Sequence, residues 1–284
     1  MIRDITIGQY YPAKSVIHRM DPRTKLFGTL IFIISVFLFH SVAGYAVATL
    51  FLAGMITISQ VPVKFIFKGL KAIFMILLIT MVFNILLTPG EVLWKIGIFT
   101  ITKEGISMAV RMAIRLIYLV IGSSLMTLTT TPNQLTDGLE KSLRPLNKIH
   151  VPVHEIAMMM SIALRFIPIL LEETDKIMKA QIARGADFEN GNMIQKVKNM
   201  VPLLVPLFIS AFRRANDLAM AMEARCYRGG EGRTKMKPLH YQKRDRMAYL
   251  TLLVYLAAVI GLRILWINVL SGMAAGILPG AFPL

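Results

Sequence analysis

The chain has 284 residues, 55% of them hydrophobic, with a mean hydropathy of +0.61 and a formal net charge of +16. Soluble domains are about 45–50% apolar. Here the excess is gathered in runs, which excludes an ordinary soluble domain and predicts an all-α, polytopic membrane protein. One cysteine, Cys226, excludes an intrachain disulfide. It reads either as a reactive thiol or as a small space-filling residue. No basic-aromatic module of a nucleic-acid-binding kind accompanies the charge, so it is read as the Lys and Arg that collect in cytoplasmic loops.

In chain order, residues 1–25 form a polar N-terminal segment, expected on the cytoplasmic side. Asp21 is a helix N-cap with Pro22 at the first helical position. Arg19, Arg23 and Lys25 are expected at the membrane edge, either as a charged flank or as a docking element. The basic start before an apolar run, with Ser41-Val42-Ala43 after it, resembles a cleaved leader. Several more apolar runs follow, so the first is read as retained.

The membrane region is placed at residues 26–130. Leu26–Phe39 and Tyr45–Ser59 are each shorter than the roughly 20 residues of a comfortable span, and fit either a tight helical pair or one tilted helix. After Lys64, Lys68 and Lys71 comes a span at about Ala72–Thr88, stopped by Pro89-Gly90. Glu91–Glu104 reads as a short outer loop. A fourth span lies between about Gly105 and Thr130. It carries Arg111 and Arg115 on one face, either as structural cations or as functional ones.

Residues 131–246 hold nineteen Lys and Arg against twelve Asp and Glu, whereas the outer loop holds Lys95 and Lys103. This asymmetry predicts a cytoplasmic domain. It opens with an amphipathic helix, Asn133–Leu143. Two long helices follow, about 154–184 and 193–226, with bends expected at Pro168 and at Pro202 and Pro206. On the second, Leu204, Phe208, Ala211, Ala215, Leu218 and Met222 make a stripe at helical spacing. Such stripes must pack on each other, on a partner or on the bilayer surface. A basic linker, Gly229–Arg246, leads to the region 247–284: a final span at Ala248–Val269 and an outer tail. About five spans are predicted.

The two long helices close on one signature. The first ends in Ala183-Arg184-Gly185, the second in Ala224-Arg225-Cys226, and the arginines are 41 positions apart (225 minus 184). A cation at a helix C-terminus is stabilised by the dipole, and Gly185 is a natural cap, so either arginine alone needs no function. The repetition points further. A guanidinium is a rigid five-donor fork suited to carboxylates and exposed carbonyls, and two matching tips suit two related partner subunits. Met158, Met159, Met160, Leu164 and Met222 provide flexible apolar surface of a kind that re-packs against changing partners. His150 and His154 are four apart with Pro152 between and no third ligand near, so no metal site is predicted. No phosphate-binding loop, HExxH or nucleophile elbow occurs, and a catalytic role is not expected.

These residues resemble the transmembrane T component of energy-coupling factor (ECF) transporters over nearly the whole chain. The resemblance rests on Ser15 to Lys25, Thr129-Thr130-Thr131-Pro132 and Ala163-Leu164-Arg165-Phe166-Ile167-Pro168 with Glu172-Glu173. It rests most specifically on Ala183-Arg184-Gly185-Ala186-Asp187 and on Ala219 to Gly229. It implies a non-catalytic scaffold in a prokaryotic cell membrane. The Ala-Arg-X tips would enter grooves on two ABC-type ATPases, which bind the ATP; the chain itself would hold no cofactor. A membrane-embedded S component, capturing a vitamin or metal ion, would sit on the apolar coupling surface. Cys226, where the first tip has Gly185, is given no role by the resemblance. Two rivals remain. A substrate-lining permease of an ordinary ABC importer would need a polar path, for which Asn84, Arg111 and Arg115 are the hints. A membrane-embedded enzyme would need clustered catalytic groups.

Overall fold

A computed structural model describes residues 10–39, 41–96, 99–186, 188, 192–230, 236 and 238–277. Asp187, parts of the 229–246 linker, residues 1–9 and the tail beyond Ile277 lie outside the described residues. The chain divides into two units, Gln9–Thr131 with Leu239–Leu284, and Pro132–Pro238.

The first unit is a helical bundle. It comprises α1 (Pro22–Leu38), α2 (Val42–Ser59), α3 (Val63–Leu87), α4 (Lys103–Thr129) and α8 (Lys243–Ile277), with a small hairpin of β1 (Val92–Ile96) and β2 (Phe99–Thr102). The open question over residues 26–59 closes in favour of two helices. Asp21 caps α1 through the Arg23 amide, and Ser41 caps α2 through the Gly44 amide. Phe32 stacks on Phe51, and Phe39 packs edge-on against Tyr45. Pairs on either side of the break are therefore folded together as an antiparallel hairpin. Tyr255 of α8 stacks on Phe51 at 4.3 Å and shares a hydrogen bond of 2.7 Å with the buried Ser35 hydroxyl, tying α8 to both. Phe32, Val36, Ala48, Leu52 and Val259 complete this core.

Outside it the helices are apolar too: Leu30, Ile34, Leu50, Phe74, Ile76 and Leu253 are exposed. In water, such a surface would drive association. Around a bundle whose backbone groups are satisfied within helices it is the surface a bilayer requires. The described helices include four long and apolar enough to cross a membrane, Val42–Ser59, Lys103–Thr129, Val153–Ala183 and Lys243–Leu265. The α3 pair Val63–Lys71 and Ile73–Leu87, bent by 58°, makes up to five. The chain is an all-α, multi-pass membrane protein.

Three details differ from the sequence reading. Lys64, Lys68 and Lys71 lie inside α3, which begins at Val63. Glu91–Glu104 is not all loop: β1 and β2 pair antiparallel from Val92↔Thr102 to Ile96↔Phe99. Its signal was two runs rich in β-formers separated by Gly97-Ile98, a two-residue hairpin spacing. Lastly, α1 is only 17 residues long, whereas Val153–Ala183, read as cytoplasmic, has the length and apolarity of a span.

The described part of the N-terminal segment is more than a plain charged flank. His18 is buried, receives the Ser15 hydroxyl within 2.6 Å of Nδ1, and donates from Nε2 to the Tyr11 carbonyl at 2.9 Å. Lys25 donates to the carbonyls of His18 and Thr129. Arg23 clasps Asp21 and lies 4.0 Å over the Tyr241 ring. The backbone amide of Asp21 donates to Asp245 of α8, which also accepts from the Gln242 amide. These polar groups satisfy one another where the bundle's helices begin and end.

Burial holds the His18 imidazole below its ordinary 6.5; its bond to the Tyr11 carbonyl opposes this, and the Lys25 charge adds to it. The unfolded chain then binds more protons, so stability rises with pH. The contribution is complete above about 6.5 and is lost as pH falls toward the lowered folded value. The thermal midpoint in detergent is therefore expected to drop between pH 7.5 and 5.5, and to drop less in His18→Gln. Equal drops would remove His18 as the cause.

Candidate functional site

The second unit contains α5 (Pro132–Leu143), a 3-10 turn (Arg144–Ile149), α6 (Val153–Ala183) and α7 (Met193–Ala224). Helix α5 packs on the start of α6, where Val153 and Ala157 are buried and His154 meets Glu140 at 3.0 Å. Helices α6 and α7 run unbroken through Pro168, and through Pro202 and Pro206.

A carboxylate pins α6 to α7. Glu173 accepts from the Ser210 hydroxyl at 2.5 Å and from Arg214 at 2.6 Å. Farther along, the Gln181 amide reaches the Pro202 carbonyl at 3.4 Å. Contacts thus advance along α6 as they retreat along α7, and the helices are antiparallel. The sequence reading missed this clamp. Ser210 and Arg214, four apart on one face, call for an acceptor, but nothing in one sequence selects Glu173 over Glu172.

The antiparallel pairing sets the tips apart. Arg184 lies eleven residues beyond Glu173 (184 minus 173) and Arg225 fifteen beyond Ser210 (225 minus 210). At about 1.5 Å per residue the tips stand about 16 Å and 22 Å from the clamp, in opposite directions. Gly230, past the second tip, lies so near His154 that a Cβ there would meet the ring at 2.3 Å. The second tip's return segment therefore sits at the beginning of α6.

Each tip is closed by the same hydrogen bonds. After Ala183 the amide of Gly185 donates to Ile182 at 2.9 Å and that of Ala186 to Gln181 at 3.0 Å. After Ala224 the amide of Cys226 donates to Glu223 at 2.8 Å and that of Tyr227 to Met222 at 3.1 Å. Both are Schellman closures with the arginine as the last near-helical residue. Gly185 has φ of +87° and Cys226 of +54°, so Cys226 occupies the left-handed position that glycine fills at the first tip. For a residue with a Cβ that conformation costs about 1–2 kcal/mol. The Gly-to-Cys difference thus changes the strain of the second tip and leaves its shape.

Ala183, Arg184, Ala224 and Arg225 are exposed, as is the free thiol of Cys226. Among the described residues, neither guanidinium has a hydrogen bond or an ion pair. Each tip presents a five-donor fork held out by a rigid cap, with small alanine flanks.

Of the apolar surface residues, Met159 and Met160 are exposed, while Met158, Leu164 and Met222 are half-buried. The stripe predicted on α7 needs correction. Leu204 and Phe208 face outward, 56% and 65% exposed, and the face toward α6 carries the half-buried Leu203, Leu207, Ser210 and Arg214. Early α7 is apolar over more of its circumference than one partner helix covers. An apolar flank of Val197, Val201, Leu204, Val205, Phe208 and Phe212 is left open.

The residues that hinted at a substrate path do not converge. Asn84 donates to the Thr80 carbonyl one turn back, Arg111 reaches Ser107 of its own helix, and Arg115 lies over Phe37.

The profile of the cobalt transport protein family (CbiQ) matches residues 13–236. The chain belongs to this family of transporter membrane proteins. Within the family it is similar to proteins named energy-coupling factor transporter transmembrane protein EcfT. The relative from Clostridium kluyveri is 58% identical over 268 residues, 94% of this chain and 99% of its own. That from Bacillus subtilis is 49% identical over 264 residues, 93% and 100%. That from Lactococcus lactis subsp. cremoris is 42% identical over 254 residues, 89% and 96%. As an energy-coupling factor family member the chain is a membrane subunit of a transporter, and both tips lie within the matched segment.

Proposed function

We propose that this chain is the scaffold and coupling subunit of an ECF transporter for a micronutrient, either a vitamin or a metal ion. Residues 1–25 and 131–246 face the cytoplasm of a prokaryotic cell. Arg184 and Arg225, flanked by Ala183 and Gly185, and by Ala224 and Cys226, enter grooves on two ABC-type ATPase subunits. ATP is bound and hydrolysed there, and this chain performs no chemistry. Movement of the ATPases displaces the tips, α6 and α7 pivot about the Glu173 clamp, and their apolar surface re-packs on a membrane-embedded S component.

The observation that carries this reading is the pair of identically capped, exposed arginines, without a partner among the described residues, at opposite ends of one antiparallel helix pair. A cation that served only its own helix dipole needs no twin. The open flank of α7, with Met159 and Met160 on α6, supplies apolar surface for the S component. The apolarity of Val153–Ala183 is read as interfacial: a spanning α6 would place the exposed Arg165 in hydrocarbon, at a cost of about 2.5–3.5 kcal/mol or more.

Purification of the tagged chain in mild detergent from its own cells tests the assignment. Two ATPase subunits and a small membrane protein are expected to co-elute. Elution alone, together with specific binding of substrate by the lone chain, would instead support a permease.

A further inference from the structure

The bundle unit contains a cavity of about 250 Å³ between α1, α2, α4 and α8. Its walls are almost wholly apolar, with Phe32, Phe51, Leu52, Leu125 and Leu252 deep inside. Its two cations, Lys25 and Arg244, sit with Thr24 at one end, where α1 and α8 begin and α2 and α4 finish, and Thr29, Tyr249 and Thr251 also contribute to the lining. Thr24 is 5% exposed, yet its hydroxyl has no hydrogen-bond partner. Arg244 is half-buried, and among the described residues no hydrogen bond or ion pair engages it. The nearby acids are committed elsewhere, Asp21 to Arg23 and Asp245 to two backbone amides. Lys25 uses two donors on carbonyls and keeps its third.

We infer that this cavity is a lipid site. One acyl chain of an anionic phospholipid fills the apolar part, and its phosphate is held at the mouth by Arg244 and the Thr24 hydroxyl. The polarity runs in the direction a bilayer imposes. From Thr24 to Phe32, and from Arg244 to Leu252, is eight helical residues, about 12 Å inward from the membrane edge. Charge at the helix ends with hydrocarbon beyond matches one lipid leaflet. Basic pockets between membrane helices select anionic headgroups in this way.

The volume lies below the roughly 300–1,000 Å³ of bulky-ligand sites and suits one linear chain. Gly28 on the cavity wall supports the occupancy. A Cβ there would make only an ordinary contact of 3.8 Å with Leu252, although glycine inside a helix is about 1 kcal/mol worse than alanine. A bound chain accounts for the room. The site would fasten the start of α8 to α1 through a molecule of the membrane itself.

The complex, purified with its partner subunits, is reconstituted with phosphatidylglycerol or phosphatidylcholine vesicles, re-extracted, and its retained lipid counted by native mass spectrometry. Wild type is expected to keep phosphatidylglycerol over phosphatidylcholine. Arg244→Gln should lose about five-fold in that retention, the effect of one basic residue on an anionic lipid, with unchanged helical content and unchanged co-elution of the partner subunits. Thr24→Val, of nearly the same shape, should lose less, and Gly28→Leu should lose both lipids. Four results overturn the site: equal retention of the two lipids, full retention by Arg244→Gln and Gly28→Leu, displacement of the lipid by glycerol phosphate alone, or photo-crosslinking from Met247 to a partner subunit instead of lipid.

Discussion

Reversing both tips together, Arg184→Glu with Arg225→Glu, is expected to strip the ATPase subunits from the purified complex and abolish uptake. Each guanidinium is exposed and rigidly presented, with no partner inside the described chain. Its removal leaves the fold untouched and strands its acceptors in the partner groove. Truncating one side of a buried charge pair costs about 2–5 kcal/mol, and reversal costs more. The tips stand on opposite sides of the Glu173 clamp, far enough apart for their effects to add. The double variant should therefore lose at least about 4 kcal/mol, roughly a thousandfold in affinity. Each single reversal should leave a complex held by the other tip. Arg184→Lys with Arg225→Lys should fall between, because the charge stays and the fork is lost. Uptake and co-purification that survive the double reversal would refute the docking role.

Asp245→Ala should be the most damaging single change in the membrane unit. Asp245 is 1% exposed and accepts the amides of Asp21 and Gln242. Its loss orphans two amides, at about 1–3 kcal/mol for each one left buried. It also unfastens α8 from the cap of α1, where Asp21 holds Arg23 and Arg23 covers Tyr241. A clear fall in thermal midpoint in detergent is expected, with Asp245→Asn, which keeps one acceptor oxygen, in between. Exposed Arg19 is the control: Arg19→Ala should leave the midpoint unchanged. A wild-type midpoint in Asp245→Ala would show that water replaces the carboxylate there.

Much of this was legible in the residues, for reasons that differ by region. The helices were legible because apolar runs that long have few alternatives, and the tips because Ala-Arg recurs where each long amphipathic pattern ends. The Asp21 cap followed from Asp-Pro at a helix start. What escaped were features set by which helix meets which. Glu173 and Glu172 are indistinguishable until α7 chooses a face. Leu204 and Phe208 fit the period of a stripe as well as Leu203 and Leu207 do, because early α7 is apolar nearly all round. Arg23 and Lys25 looked like an exposed flank because the groups that cover them, the Tyr241 ring over Arg23 and the Thr129 carbonyl at Lys25, lie over a hundred residues away in the chain. Cys226 looked unlike Gly185 by chemistry, and only its left-handed backbone makes the two positions equivalent.

The single cysteine of the chain sits at the second tip, exposed, and offers the most direct test. Cys226 is treated with a membrane-impermeant maleimide in inside-out and right-side-out vesicles, with and without the ATPase subunits assembled. Labelling is predicted only from the cytoplasmic face and only in the unassembled chain, with protection on assembly. Labelling from the outer face, or undiminished labelling in the assembled complex, would contradict a tip seated in a motor subunit.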